Sequence, residues 1–398
     1  MMNKNIRAAI AGVIPEITAL RHELHEHPEI RFEEQWTSDR VARFLDEAGI
    51  PHTRGHAKGT GIVARIEGAT GKTVALRADM DALELEEKTG LPYASKTANR
   101  MHACGHDGHM ACLCGAAKVL SQNRDALAGT VKLLFQPAEE LGAGGLCMVH
   151  EGVLDGVDAV FALHAWPTIP VGCIGVKSGP MMAGADFFRI DIQGRGCHGA
   201  RPADGIDPVM VAAHIVLALQ TIVSREIEAL DPAVVSVCSI HAGAASNIIP
   251  DSAHIEGTFR TLNPATRDAV ACAIERIAQG TAQALRATAA VQFGDACYVP
   301  LHNAPSMTEF ARKAIAAALG PDAVVELERP SMGAEDFAFY LQKTPGALVL
   351  LGIAASPDKP HPPLHSPHFD FNDAAIGTAL STLVGLSADF LRQPPASA

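Results

Sequence analysis

The chain's 398 residues exceed what one hydrophobic core usually serves, and a make-up of 48% apolar, 19% charged and 5% aromatic residues excludes wholesale disorder, a fibre and a coiled coil, leaving a compact α/β protein of two domains. A formal charge of −12 without any lysine- or arginine-rich block gives no footprint for phosphate backbones, so no nucleic-acid partner is expected. No run of eighteen uninterrupted apolar residues occurs, and the N-terminus has no continuous apolar core behind its first basic residues; no membrane partner is expected and the protein is read as cytoplasmic.

Nine cysteines, an odd number scattered along a long chain, argue against a disulfide framework and for a reducing compartment. Cys112, Cys114, Cys147, Cys173, Cys197, Cys238, Cys272 and Cys297 lie mainly among small and apolar neighbours and are read as thiols packed like small hydrophobes. Cys104 has a different setting.

From Ile6 to His25, Ile10, Val13, Ile14, Ile17, Leu20 and Leu24 recur at helical spacing until His27-Pro28 stops them, which predicts an opening amphipathic helix. Ile62 to Ile66 and Thr73 to Leu76 read as strands joined by the turn-rich Gly68-Ala-Thr-Gly-Lys72, and a hairpin is the simple expectation. That link ends in Gly-Lys-Thr, yet Ile66 stands where a phosphate loop needs its first glycine, so a nucleotide site is rejected. Strands at Val131 to Phe135, Ala159 to Leu163 and Ala347 to Leu351, with helices at Gly108 to Asn123 and Asp373 to Leu391, complete an α/β sheet domain. Between them the texture changes: Phe188, Ile190 and Ile192 alternate with Arg189, Asp191 and Gln193, as in a strand with one wet face. A helix at Pro208 to Glu228, strands at Val234 to Ile240 and Ala253 to Thr261, a helix at Pro264 to Arg286 and a strand at Ala289 to Phe293 follow. That order matches a ferredoxin-like sandwich. The small domain, 184–297, is thus expected as an insertion in a larger one formed by 1–183 and 298–398.

The densest chemistry lies in His102-Ala-Cys-Gly-His-Asp-Gly-His109. Thiolate and neutral imidazole suit zinc, nickel or cobalt, and a glycine between Cys104 and His106 lets both side chains turn towards one point. His102 and His109 are read as a loop-surface and a helix-start residue rather than as ligands. Asp107 has two open roles, a hydrogen bond behind a ligand ring or a helix cap. The strand from Val131 delivers Glu139 and Glu140 to its carboxyl end, the edge that ligand sites in open α/β sheets favour. If that segment is extended, the two side chains point apart, and one can bind metal while the other faces a water as general base. A solvated glutamate pair is the plain alternative. His164 ends a buried strand, where a satisfied core histidine is commoner, and His365 lies in the proline-stiffened His361-Pro-Pro-Leu-His-Ser-Pro-His368. Together they supply five candidate ligands, enough for two ions if Cys104 or a water bridges them.

These stretches resemble the M20 metallopeptidases, the aminoacylase and glutamate-carboxypeptidase group, in the branch of hippurate hydrolases and indole-acetyl-amino-acid amidohydrolases. The resemblance rests on Arg77-Ala-Asp-Met-Asp-Ala-Leu83, His102-Ala-Cys-Gly-His-Asp107, Gln136-Pro-Ala-Glu-Glu140, Gly196-Cys-His-Gly-Ala-Arg-Pro202, Asn247-Ile-Ile-Pro250, Gly333-Ala-Glu-Asp-Phe337 and Leu364-His-Ser-Pro367. It implies a catalytic α/β domain with an inserted lid or dimerisation domain, and a homodimer. By it, Cys104, His106, Glu140, His164 and His365 match the positions that hold two divalent ions, zinc, manganese, nickel or cobalt, with a cysteine where most branches rely on a bridging aspartate. Glu139 looks like the general base and His198 like the oxyanion-stabilising histidine, which in several members reaches the partner subunit's site. Asn247 and Arg260 resemble substrate-touching positions, and Asp81 one that orients a ligand; Asp79 receives no role. The motif around His198 often continues with another histidine where this chain has Ala203, which points to a different substrate preference. The implied reaction is hydrolysis of N-acyl amino acids. A dipeptidase or carboxypeptidase with the same centre, and a non-catalytic metal or small-ligand binder, are the rivals.

Overall fold

The structure, a computed structural model, describes residues 4–294, 298–356 and 361–395; Cys297 lies outside the described residues. Its contacts form two units, one of Met1–Met181, His302–Arg329 and Asp336–Ala398, the other of Met182–Leu301 and Pro330–Glu335.

The first unit opens with helix α1 (Lys4–Glu26), which buries Ile10, Val13, Ile17, Leu20 and Leu24 along one stripe, the spacing that the sequence shows. There follow β1 (His52–His56), β2 (Gly61–Glu67), β3 (Lys72–Asp79), α2 (His106–Gln122), β4 (Gly129–Gln136), a single helical turn α3 (Glu139–Gly142), β5 (Ala159–Pro170) and β6 (Ile174–Val176). The second unit contributes β7 (Gly184–Gln193), α4 (Pro208–Thr221), β8 (Ala233–Ala242), β9 (Ser252–Thr261), α5 (Pro264–Ala284) and β10 (Thr288–Phe293). The chain then completes the first unit with α6 (Pro305–Leu319), β11 (Val324–Glu326), β12 (Gly346–Ala354) and α7 (Ile376–Arg392).

The large sheet runs β1-β2-β4-β3-β5-β12-β6-β11. It is mixed. β3 is parallel to β4 and β5, and β12 is parallel to β5, while β1, β2 and β6 add antiparallel pairs. β12 is an apolar run buried along its whole length, and β3 and β5 are buried along most of theirs, as a sheet covered on both faces requires, although β3 ends in the buried Arg77 and Asp79. The register sets Asp79 opposite Gln136 and Arg77 opposite Ala162, so the last residues of β3 and β4 end level with His164 in β5. The carboxyl ends of these strands therefore share one edge.

The expected β2–β3 hairpin does not form, because β4 lies between the two strands, antiparallel to β2 and parallel to β3. The turn-rich link is spent on crossing the start of β4: Gly68 N donates to Gly129 O at 3.0 Å and Ala69 N to Leu127 O at 2.9 Å. A Cβ on Gly71 would lie 2.1 Å from Ala128 O, so the close approach needs glycine. Turn composition marks where a chain reverses and is silent about which strand fills the gap.

In the second unit the sheet order is β8-β9-β7-β10, all antiparallel, as in a ferredoxin-like sandwich. Phe188, Ile190 and Ile192 pack with Val211, Ile215, Val270 and Ile274 of the two helices, leaving Arg189 and Asp191 outward. The helix expected to run from Pro208 to Glu228 closes in a π-turn at Ile222–Glu226. Two segments, Pro208–Glu226 and Asp373–Arg392, are apolar and long enough to cross a membrane by length and composition. The second is mostly core, packed on α1, α2 and α6. Every described cysteine is free, and Cys238 and Cys272 are exposed rather than packed as small hydrophobes.

Asp107 serves neither of the roles left open for it. Its Oδ2 accepts from Arg21 Nε and from His25 Nδ1, both at 2.8 Å, and α2 begins without any side-chain cap. Arg21 also reaches Asp370 and Asp373, so one buried guanidinium ties α1 to α2 and to the segment before α7. Burial disfavours the charged His25 ring, but Asp107 and Glu87 outweigh it and push its pKa from 6.5 to about 9. A basic group with a raised folded-state pKa stabilises the fold fully below its unfolded value and loses that contribution as the pH rises through the folded one. Chemical denaturation is expected to show stability falling between about pH 7 and 10, by on the order of 3 kcal/mol, and His25→Gln to flatten the curve. An identical slope in both proteins would contradict this.

Candidate metal centre

The loop before α2 turns on Gly105, whose φ of +89° favours glycine and where a Cβ would press on Ala165 at 3.1 Å. Cys104 and His106 consequently face one point. His106 Nδ1 donates to Asp81 O at 2.8 Å, leaving Nε2 buried and without a hydrogen-bond partner. His164 Nδ1 donates to Ala165 O at 2.8 Å, which aims Nε2 at Cys104 Sγ, 3.5 Å away. His365 adopts φ +63° and is tied to the same loop by its N–H to Ala103 O at 2.8 Å. Its Nε2 lies 3.2 Å from Glu140 Oε1.

Glu139 and Glu140 do not lie in an extended segment. Ala138, at φ +55°, turns the chain after β4, and both glutamates start the helical turn α3. Their side chains diverge through helical rotation instead of strand alternation. Two buried carboxylates hold this turn by its backbone: Glu34 Oε1 accepts from Ala138 N at 2.9 Å, while the Asp81 oxygens accept from Glu139 N at 2.8 Å and Glu140 N at 3.0 Å. Asp81 thus positions both glutamates with its carboxylate and His106 with its carbonyl.

Donor atoms from distant parts of the chain meet within 4.8 Å in overlapping groups, one of Cys104, His106 and His164, a second of Cys104, Glu140 and His365, and a third of His106, Glu139 and Glu140. Cys104 belongs to the first two. This set fits a pair of divalent cations, with a thiolate to bridge them and imidazole and carboxylate to complete each side.

The electrostatics agree. Burial, with Glu140, Glu139 and Asp79 nearby, pushes the Cys104 thiol well above its ordinary range, so its thiolate calls for added positive charge. Burial works against a charged His106, yet Asp79, Asp81 and Glu140 lift it to about 10. Burial, with His109 close by, drives His164 down to about 3 and leaves it a neutral donor. Glu140 is disfavoured by burial and still held below the usual carboxylate range by His365 and His106.

His102 is buried rather than on the loop surface, and neither ring nitrogen has a hydrogen-bond partner. His109 is buried as well, bonded to Asp79 Oδ1 at 2.6 Å and to Ala165 N at 2.8 Å. Asp79, left without a role by the sequence, also meets Arg77 Nη1 at 2.8 Å and faces His106 Nε2 at 3.7 Å. Glu34 carried no local signal. Within the second unit, His198 is exposed on the short pair Cys197–His198 and Ile248–Ile249, where its Nδ1 accepts from Ala200 N at 3.0 Å. Asn247 is brought beside it, accepting from Gly199 N at 2.8 Å through its carbonyl. Arg260 is in β9, with its guanidinium 5.8 Å from the Phe187 ring centre.

The fold and this donor set define a mixed α/β protein built around a candidate two-ion centre. The chain belongs to the peptidase family M20/M25/M40, whose model matches residues 75–386, and is a hydrolase of that family. It is 44% identical over 362 residues, 90% of this chain and 93% of the relative, to N-acetylcysteine deacetylase of Bacillus subtilis strain 168. With IAA-amino acid hydrolase ILR1-like 4 of Arabidopsis thaliana it shares 37% identity over 384 residues, 96% of this chain and 87% of the relative. Among solved structures it is similar to Bacillus subtilis YXEP protein, described as a dinuclear metal binding peptidase of the M20 family, at TM-score 0.82 and 38% identity, covering 96% of this chain and 99% of that one.

Metal analysis after dialysis checks the shared atom. His365→Ala is expected to keep the ion of the first donor group and lose the other, and Cys104→Ala to weaken both. A Cys104→Ala protein with wild-type metal content would contradict the bridging geometry.

Proposed function

We propose that the protein hydrolyses the amide bond of N-acyl amino acids, with aromatic acyl groups as in hippurate or acetyl groups, releasing a carboxylic acid and the free amino acid. Two divalent ions, zinc, manganese, nickel or cobalt, would be held by Cys104, His106, Glu140, His164 and His365. The observation that carries this reading is the grouping of Glu139, a carboxylate with no place among the five donors, with His106 and Glu140. A centre of donors alone would bind metal; one with a buried carboxylate beside it can move a proton.

Bound ions would acidify the attacking water and polarise the scissile carbonyl. Glu139 takes the proton of that water and later gives it to the leaving amine, His198 stabilises the developing oxyanion, and Asn247 and Arg260 contact the substrate. Asp81 keeps the base and the neighbouring ligand in fixed relation. The segments 1–183 and 298–398 are the catalytic domain in this reading, and 184–297 an inserted lid and dimerisation domain. The relatives named for N-acetylcysteine and IAA-amino acid substrates support the acyl-amino-acid class. Likeness to a protein described as a peptidase favours a second reading, a dipeptidase or carboxypeptidase with the same centre.

Rates on hippurate, N-acetyl amino acids and dipeptides separate the two, with acyl amino acids expected to be the faster substrates. Glu139→Gln is expected to retain both ions while losing about 10²- to 10⁴-fold in kcat; full activity in that variant would refute the base, and bound metal without turnover of any amide would favour a binding protein.

A homodimer through the second unit is supported by exposed apolar side chains on α4, among them Val209, Met210 and Leu217, the last 71% exposed. Light scattering is expected to give twice the chain mass for the wild type and the single-chain mass for Leu217→Glu. A monomeric wild type would remove this proposal.

A further inference from the structure

The Asp79–His109 pair stands behind the centre without belonging to the five donors, and its hydrogen bonds have fixed polarity. Asp79 Oδ1 lies 2.6 Å from His109 Nδ1. An ionised carboxylate only accepts, so Nδ1 carries the proton. Ala165 N lies 2.8 Å from His109 Nε2, and a backbone amide only donates, so Nε2 supplies the lone pair. His109 is therefore neutral and in its Nδ1–H form. Ala165 O in turn lies 2.8 Å from His164 Nδ1, and a carbonyl only accepts, so His164 is also Nδ1–H and its Nε2 lone pair is the one that faces Cys104 Sγ at 3.5 Å.

We infer that Asp79 and His109 are positioning residues, a relay that holds the Ala165 backbone by its N–H and so keeps in place the Ala165 carbonyl that fixes the tautomer and direction of His164; the inference rests on the two-ion reading above. All four residues are buried, so no water competes for these bonds. The first carboxylate is itself anchored, since Arg77 donates to Asp79, Gln136 and Asp336, each at 2.8 Å. The relay also answers a backbone need. Pairing of β5 with β3 ends at Ala162, and His109 supplies the acceptor that Ala165 N–H lacks on that side. Because Asp79 Oδ2 faces His106 Nε2 at 3.7 Å, one carboxylate attends both imidazoles of the first donor group.

Asp79→Asn is the informative change. Two donors, Arg77 Nη1 and His109 Nδ1, converge on different oxygens of Asp79, and an amide offers only one oxygen. If His109 is left facing the amide NH2, its ring must move its proton to Nε2, where it opposes the Ala165 N–H. The same replacement behind a catalytic histidine elsewhere keeps the geometry and yields the wrong tautomer.

Two measurements test the relay. In 15N-histidine NMR of the metal-free wild type, His109 and His164 are expected as Nδ1–H tautomers, and in Asp79→Asn the His109 proton is expected on Nε2; Nε2–H rings in the wild type overturn the relay whether or not any variant folds. In chelator competition with zinc or manganese, Asp79→Asn and His109→Phe are each expected to weaken one of two ions by about 10- to 100-fold, and the double variant by no more than the worse single one. Two ions held by Asp79→Asn as tightly as by the wild type overturn the relay alone, whereas a wild type that binds no ion removes it together with the centre.

Discussion

Asp79, Glu139 and Glu140 act on the Cys104 thiol at the carboxyl edge of parallel strands, with Asp81 under the backbone of the two glutamates, and all four carboxylates are almost wholly out of water. An uncompensated charge in such a place costs several kcal/mol, so each must be answered. Asp81 takes two backbone amides, Asp79 takes Arg77 and His109, and Glu140 faces His365 and His106. The thiol has no comparable answer from the protein, and His106 Nε2 has no hydrogen-bond partner, although the Asp79 and Glu140 carboxylates face it at 3.7 and 3.9 Å. A pair of divalent cations supplies it, and this is the physical reason for placing them there.

Precision in the centre comes from groups outside the five donors. Arg77 bridges Asp79, Gln136 and Asp336, and Asp336 also accepts from Gly145 N at 2.8 Å. The ends of β3 and β4 and the chain before β12 are thereby locked to one guanidinium. Bidentate and forked contacts of this kind suit arginine and not lysine. On the other side of α2, Arg21 and His25 hold Asp107, so the helix carrying His106 is fixed at its first turn from α1 as well as from β3.

Much of this was legible in the sequence, for identifiable reasons. Helical spacing gave α1, alternation gave β7, and the element order of residues 184–297 gave the small sandwich. Dense chemistry between His102 and His109 marked Cys104 and His106, while Glu140, His164 and His365 drew strength only from appearing together. What failed was non-local. The hairpin expectation could not foresee β4 entering between β2 and β3, and the strand reading of Glu139 and Glu140 could not foresee the positive φ at Ala138. Asp107 was misjudged because its partners, Arg21 and His25, lie more than eighty residues upstream. Glu34, Asp79 and His109 act through backbone amides and buried contacts that leave no local pattern.

In this geometry Cys104 Sγ would be common to two ions. Anomalous scattering from crystals equilibrated with manganese or zinc tests it directly. Two peaks are expected roughly 3.5 to 4 Å apart, both within bonding distance of that sulfur, one also touching His106 and His164 and the other Glu140 and His365. A bare sulfur with the ions elsewhere would contradict it.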